Sequence, residues 1–271
     1  IFLVFNFIQN LFYQKMATLL LKKSYLINSL KEVKFKDLWG LHGVFTTIRL
    51  IDKPLKIIFL QSHLKNLINS SKTYKIYKKN LNLKLKKVLD LNLSKNKKYN
   101  HLLRLAISKN VISISIRKRL TPLNNFNLKL LNYKRINPNY KNLKYNFILK
   151  KMNAINPRAC DLALIKKNKI YETGTGNLLF VRKNKLYSPK KNFYKGITLK
   201  FINKKYNINF SDINLKNLNE YSEIILIGSG KGVISINKIL GENWRRKSLK
   251  YYRILSDYYK KAVTKCPRYY S

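Results

Sequence analysis

The side chains that most often carry out chemistry are few in this chain, and their spacing excludes several reactions. Cys160 and Cys266 form no CxxC pair, and neither has a histidine at metal-ligand spacing, so no metal site is expected. His42, His63 and His101 are scattered, which gives no support to a Ser/His/Asp site or to a histidine-rich metal cluster. The stretch Gly228-Ser229-Gly230-Lys231-Gly232 lacks the GxxxxGK[ST] spacing of a nucleotide loop, so ATP is rejected; alone, such a run reads as a turn. Only 11 acidic residues stand against 57 lysines and arginines. A functional carboxylate must therefore be found among few, and a functional lysine among many.

Such residues need a folded frame, and the chain can supply one. With 271 residues, 45% hydrophobic and 13% aromatic, it is long and apolar enough to bury one large core or two smaller ones. Apolar residues alternate with Thr and Arg over 44–50, and a second strand-like run over 57–60 follows Pro54. Leu60, Leu64, Leu67 and Ile68 then fall at helical spacing around His63. Leu81, Leu83, Leu85, Val88 and Leu89 line part of a helix face within a Lys/Asn-rich stretch. Strands are expected at 101–106 and 111–116, and Thr121-Pro122 breaks the pattern. Further strands are expected at 162–165, 178–182 and 224–227, bounded by Gly and Lys-Asn turns. A last helix carries Leu249, Tyr252, Leu255, Ser256 and Tyr259 on one side, covering the second sheet. This is an α+β or α/β chain of two domains: a small N-terminal domain over 17–122 and a larger one over 123–271. Residues 1–16 read as an extension or targeting segment, apolar but interrupted by Asn6, Gln9 and Asn10 and too short to span a bilayer.

The formal charge of +46 suits a polyanion partner such as RNA. The basic residues are spread along the whole chain, however, with Asn among them, as in Lys78-Lys79-Asn80 and Lys167-Asn168-Lys169. That distribution resembles compositional drift more than a binding patch, so no specific nucleic-acid partner and no membrane are expected. Two unpaired cysteines fit a reducing, cytoplasmic compartment, with an organellar address left open by the first residues.

Four segments, opening in order at Gly40-Leu41-His42-Gly43, Arg135-Ile136-Asn137-Pro138, Glu172-Thr173-Gly174 and Gly196-Ile197-Thr198, together resemble the class IV aminotransferase family of pyridoxal-phosphate enzymes. Gly40-Leu41-His42-Gly43-Val44-Phe45-Thr46-Thr47-Ile48-Arg49, followed by His63-Leu64-Lys65-Asn66-Leu67, is similar to the GDGxFxTxR strand and HLxRL helix. Arg135-Ile136-Asn137-Pro138 and Lys141-Asn142-Leu143-Lys144-Tyr145 resemble the segment around the cofactor-bearing lysine. Glu172-Thr173-Gly174-Thr175-Gly176-Asn177-Leu178-Leu179-Phe180 is similar to EGSxxNxFF. Gly196-Ile197-Thr198 and Gly228-Ser229-Gly230-Lys231-Gly232-Val233 resemble the GITR turn and the GTAAGV loop.

The resemblance implies a D-amino acid aminotransferase-like fold, a homodimer, a small-molecule substrate and pyridoxal 5'-phosphate. Lys141 would form an imine with the cofactor and act as general base. Glu172 would pair with the pyridine nitrogen. Gly196, Ile197, Thr198, Gly228, Ser229 and Gly230 would offer N–H groups and hydroxyls to the phosphate. Asn66 stands where the pattern has a phosphate-binding arginine, with Lys65 or Arg49 as replacement cations. Phe45-Thr46-Thr47 is similar to the lyases of the family, which release pyruvate from 4-amino-4-deoxychorismate to leave 4-aminobenzoate for folate synthesis. In that reading Thr46 or Lys141 supplies the proton, and Arg104 contributes to a dicarboxylate site. The alternatives are a branched-chain or D-amino acid aminotransferase, a basic RNA-binding protein, and a decayed enzyme without cofactor.

Overall fold

The computed structural model describes residues 19–270, and the expectations for residues 1–16 lie outside it. A first, six-stranded sheet contains β1 (Leu19–Leu26), β2 (Glu32–Val33), β3 (Gly43–Asp52), β4 (Lys56–Ile57), β5 (Tyr99–Ser108) and β6 (Val111–Lys118), in the order β2-β1-β6-β5-β3-β4. All its pairings are antiparallel. Helices α1 (Leu60–Thr73) and α2 (Leu81–Asn92) cover one face, burying Leu64, Leu67, Leu85, Val88 and Leu89 against Val44, Ile48, Leu50 and Leu103. The face follows from strand alternation: the even-numbered residues of β3 point to the helices, which places Thr46 between Val44 and Ile48 on that side.

The run over 57–60 is a correction. Lys56 and Ile57 pair with β3 and the Ile58 N–H donates one further bond to Arg49 O (3.0 Å), but Phe59 is left-handed at φ 56° and α1 begins at Leu60. Ile57 and Ile58 are buried whichever element holds them, and a short apolar run cannot distinguish a strand from a helix entry.

The second sheet has nine strands. They are β7 (Phe126–Asn132), β8 (Cys160–Lys166), β9 (Lys169–Thr173), β10 (Asn177–Arg182), β11 (Lys185–Pro189), β12 (Ile208–Ser211), β13 (Ile213–Asn214), β14 (Glu223–Gly228) and β15 (Gly232–Leu240). Their order is β12-β11-β10-β14-β15-β7-β8-β9-β13. Central strands are buried on both faces, so they read as unbroken apolar runs. In β14, Ile224 and Leu226 face a core with Phe126, Phe180 and Trp244, while Ile225 and Ile227 face another with Leu199, Ile202 and Leu255. Helix α3 (Asn146–Met152) follows the loop after β7. Helix α4 (Ile197–Asn203) and the last helix, α5 (Lys250–Thr264), contribute to the second of those cores. Leu255, Ser256 and Tyr259 are the buried side of α5, whereas Leu249 is its N-cap. Among the described residues no helix is long and apolar enough to cross a membrane.

Candidate active site

One cavity draws its walls from both sheets. Thr46 of β3 and His63 of α1 meet Arg135, Lys141, Glu172, Asn177, Tyr194, Thr198, Gly228 and Ser229 around it. Lys141 lies in the loop after β7, which runs beside the start of β3: the Phe45 N–H donates to Lys141 O (2.9 Å) and the Leu143 N–H to Gly43 O (3.0 Å). That approach requires glycine at 43, because a Cβ there would stand 2.2 Å from Ile107 O and 2.6 Å from Leu143 Cδ1. Buried Asn142 holds the loop from inside, donating to Ile136 O (2.8 Å) and Asn137 O (3.2 Å) and accepting from the Lys144 N–H (3.1 Å).

Lys141 Nζ lies 5.2 Å from the ring centre of Phe45 and 5.9 Å from that of Tyr194. Burial, and secondarily the Arg135 guanidinium, lower its pKa to about 8, with Glu172 acting in opposition. At pH 7 about a tenth of the amine is therefore neutral, far more than for a lysine at its ordinary value.

Glu172 is held from three directions. Arg135 Nε and Nη2 donate to its two oxygens at 2.6 and 3.1 Å, and the Tyr194 N–H donates to Oε2 at 3.3 Å. Arg135 in turn donates to Pro138 O (2.6 Å) and Tyr140 O (3.0 Å), so one guanidinium ties the carboxylate to the loop bearing Lys141. Burial pushes the Glu172 carboxyl up against the pull of Arg135, and Glu172 in turn holds Arg135 above its ordinary value despite burial. The turn after β9 is set by hydroxyls: Thr173 Oγ1 accepts from the Gly176 N–H (2.9 Å), and Thr173 and Thr175 both donate to buried Asp161. Gly176 permits contact with β14, since a Cβ would stand 2.5 Å from Ile227 O.

At the opposite end, Asn177 Oδ1 accepts from the Gly196 N–H (3.0 Å) while its Nδ2 donates to Tyr194 O (2.7 Å). Thr198 Oγ1, in the first turn of α4, is buried without a hydrogen-bond partner among the described residues. An orphaned buried hydroxyl is costly unless a ligand supplies its partner. From there a chain of polar atoms crosses to β3: Ser229 Oγ lies 3.2 Å from His63 Nε2, and His63 Nδ1 lies 2.6 Å from Thr46 Oγ1. Burial, and secondarily Lys141, lower the His63 pKa to about 3, so the ring is neutral.

The cavity thus gathers Lys141, Thr46, Glu172, Gly196, Ile197, Thr198, Gly228 and Ser229. Asn66, Gly230 and Arg104 stand outside its lining. Asn66 is one layer behind, with Nδ2 donating to Tyr194 Oη (3.1 Å) and Oδ1 accepting from Lys200 Nζ (3.3 Å). Lys200, rather than Lys65 or Arg49, is the cation bonded to it. The Gly230 carbonyl accepts from Arg119 Nε (2.8 Å). Arg104 is opposite Thr47 in the register, on the other face of the sheet from Thr46; it pairs with Asp37 (2.8 Å) and lies over Trp39. Arg135, Tyr194, Asn177 and Lys200 carried no assigned role in the sequence. His63, Arg135 and Asn177 stand within the motif segments, whereas Tyr194 and Lys200 lie outside them and act through contacts between distant segments.

A family model for amino-transferase class IV matches residues 43–239. Among solved structures, a branched-chain aminotransferase from Thermoproteus uzoniensis with norvaline is similar at 17% identity and a TM-score of 0.72, over 90% of this chain and 95% of that one. A branched-chain amino acid aminotransferase from Thermobaculum terrenum in its PLP form is similar at 16% identity and 0.70, over 89% and 93%. The PLP-bound form of a hypothetical aminotransferase from Mycobacterium tuberculosis is similar at 13% identity and 0.68, over 88% and 98%. No curated protein matches the chain in sequence.

Proposed function

We propose, because the chain belongs to the amino-transferase class IV family, that it is a pyridoxal-phosphate enzyme that converts 4-amino-4-deoxychorismate to 4-aminobenzoate and pyruvate. The observation that carries the cofactor reading is Lys141: a half-buried lysine with its pKa lowered to about 8, in one cavity with a buried carboxylate and an unpartnered hydroxyl. Lys141 is the residue that would hold the cofactor covalently, Glu172 would meet its pyridine nitrogen, and Thr198, Ser229 and the Gly196 and Gly228 turns would meet its phosphate. Thr198 Oγ1 in particular gains the acceptor it lacks. When bound, the cofactor supplies an electron sink for a carbanion next to nitrogen.

The chain's own residues then do three things. Lys141 Nζ takes the proton from the ring carbon that bears the substrate nitrogen and returns a proton to the enolpyruvyl methylene, so pyruvate leaves and the ring becomes aromatic. Arg135 opposes the upward push of burial on the Glu172 carboxyl and fixes it relative to Lys141. Thr46, the residue that separates this reading from transamination, lies in the cavity wall with its hydroxyl bound to His63. The same reading makes the protein a homodimer.

The test has two arms. Purified chain with pyridoxal phosphate is expected to develop a visible absorbance that borohydride makes permanent, and that Lys141→Ala abolishes; a colourless, untrapped wild type refutes the cofactor reading. Formation of 4-aminobenzoate from aminodeoxychorismate is then set against transamination of leucine, the activity suggested by the branched-chain relatives. Leucine turnover without 4-aminobenzoate rejects the lyase.

A further inference from the structure

The polar chain Thr46–His63–Ser229 links the two ends of the cavity, and its chemistry does not let those ends be chosen independently. The His63 ring is buried and contacted at both nitrogens, by Thr46 Oγ1 at 2.6 Å and by Ser229 Oγ at 3.2 Å. A neutral imidazole has one N–H donor and one acceptor nitrogen, whereas a hydroxyl has a single proton to donate. Two arrangements satisfy all three groups. In one, Ser229 donates its proton away from His63 and accepts from Nε2–H, so Nδ1 accepts from the Thr46 hydroxyl. In the other, Ser229 donates to Nε2, and Nδ1–H donates to Thr46, which leaves the Thr46 proton free for the cavity.

An oxyanion beside Ser229 decides between them, because it can only accept. We infer that His63 is a positioning residue that converts occupancy of the Ser229 end by a phosphate oxyanion into a fixed polarity at Thr46, which becomes a hydrogen-bond acceptor toward the cavity. This rests on the cofactor reading above and goes beyond it. With its proton committed to His63, Thr46 does not protonate the substrate. The proton that Lys141 removes from carbon is the one that Lys141 returns to the methylene, and Thr46 orients the amine by accepting one of its N–H groups. The arrangement also accounts for a histidine rather than an amide at this point, since the ring spans a strand of the first sheet and a hairpin of the second with one proton.

The direct test is the position of that proton. Full-length chain labelled with 15N-histidine holds three histidines, His42, His63 and His101, and the His63→Gln spectrum assigns the third signal set. In protein saturated with pyridoxal phosphate, with the absorbance of the Lys141 adduct measured on the same sample, long-range 1H–15N correlations are expected to place the proton on Nε2. A proton on Nδ1 in adduct-bearing protein overturns the inference alone. Failure to form any adduct removes it together with the cofactor reading. In Ser229→Ala the selection is lost, so the loaded protein is expected to show a raised Nδ1–H population; an unchanged Nε2–H signal overturns Ser229 as the link. The catalytic consequence is separately readable. Thr46→Val is expected to lower kcat by less than about tenfold, where loss of a true general acid costs about a hundredfold or more.

Discussion

Arg135 donates from two of its nitrogens to the two carboxylate oxygens of Glu172, with both side chains almost wholly out of solvent, at 2% and 5% exposure. The pair is a geometric device as well as an ionic one, because the guanidinium also binds two carbonyls of the loop that presents Lys141. Removing one partner leaves a buried charge unpaired, which costs about 3–5 kcal/mol. Arg135→Leu is therefore expected to lose stability on that scale in urea unfolding, and also to weaken the Lys141 adduct. The double variant Arg135→Leu/Glu172→Leu is expected to recover most of the stability and none of the adduct. A single Arg135→Leu loss below about 1 kcal/mol contradicts the pairing.

Lys141 ties stability to pH. Its folded pKa, about 8, lies below the ordinary 10.5, so the folded state binds the proton less tightly than the unfolded state. Stability therefore rises as pH increases from 8 to 10.5, and the full penalty is present below 8. In cofactor-free protein, Lys141→Met is expected to be more stable than wild type by about 3 kcal/mol below pH 8, with the difference closing by pH 10.5. Unfolding curves for both proteins at several pH values check this, and a difference that does not change with pH refutes it.

His63 has the same direction of shift and a different window. Its folded pKa, about 3, lies below the ordinary 6.5, so its stabilisation is complete above 6.5 and is lost as pH falls from there toward 3. Between pH 6.5 and 4.5 wild type should lose about 2–3 kcal/mol relative to His63→Gln. Parallel acid titrations of the two proteins, followed by circular dichroism, measure the gap. Curves that stay parallel over that range exclude a buried neutral ring.

Much of the frame was legible because it rests on local pattern. The alternation in β3, the helical spacing of Leu64 and Leu67, and the continuous run Ile224-Ile225-Leu226-Ile227 each reflect which faces are buried. Strands such as β1 and β7 escaped notice because Lys and Asn interrupt them, as in Lys22-Lys23 and Asn127. The site divides in the same way. Lys141 and Glu172 stand in recognisable motifs, but the groups that orient them meet only in three dimensions: Arg135 reaches Glu172 across 37 positions, Lys200 reaches Asn66 across 134 and Ser229 reaches His63 across 166. No periodicity encodes such contacts. Arg104 shows the converse, since an arginine near the right strand projects from the wrong face.

Thr198 makes the clearest separation between the needs of the fold and those of a ligand. Its hydroxyl is buried and unpartnered among the described residues, next to the Gly196 turn and across from Ser229. A fold optimised for itself would carry valine there, which has nearly the same shape and no unsatisfied group. Thr198→Val is accordingly expected to leave the cofactor-free protein unchanged or more stable by about 1 kcal/mol. The same change removes a donor from the phosphate end, and a hydrogen bond to a charged acceptor contributes about 1.5–3 kcal/mol. Pyridoxal phosphate should then bind about 10- to 100-fold more weakly, while pyridoxal, which lacks the phosphate, should bind both proteins equally. Absorbance titrations with the two compounds, set beside urea unfolding of the free proteins, give the four affinities and two stabilities required. Equal weakening for both compounds would place Thr198 away from the phosphate, and a marked loss of stability without ligand would make its hydroxyl structural.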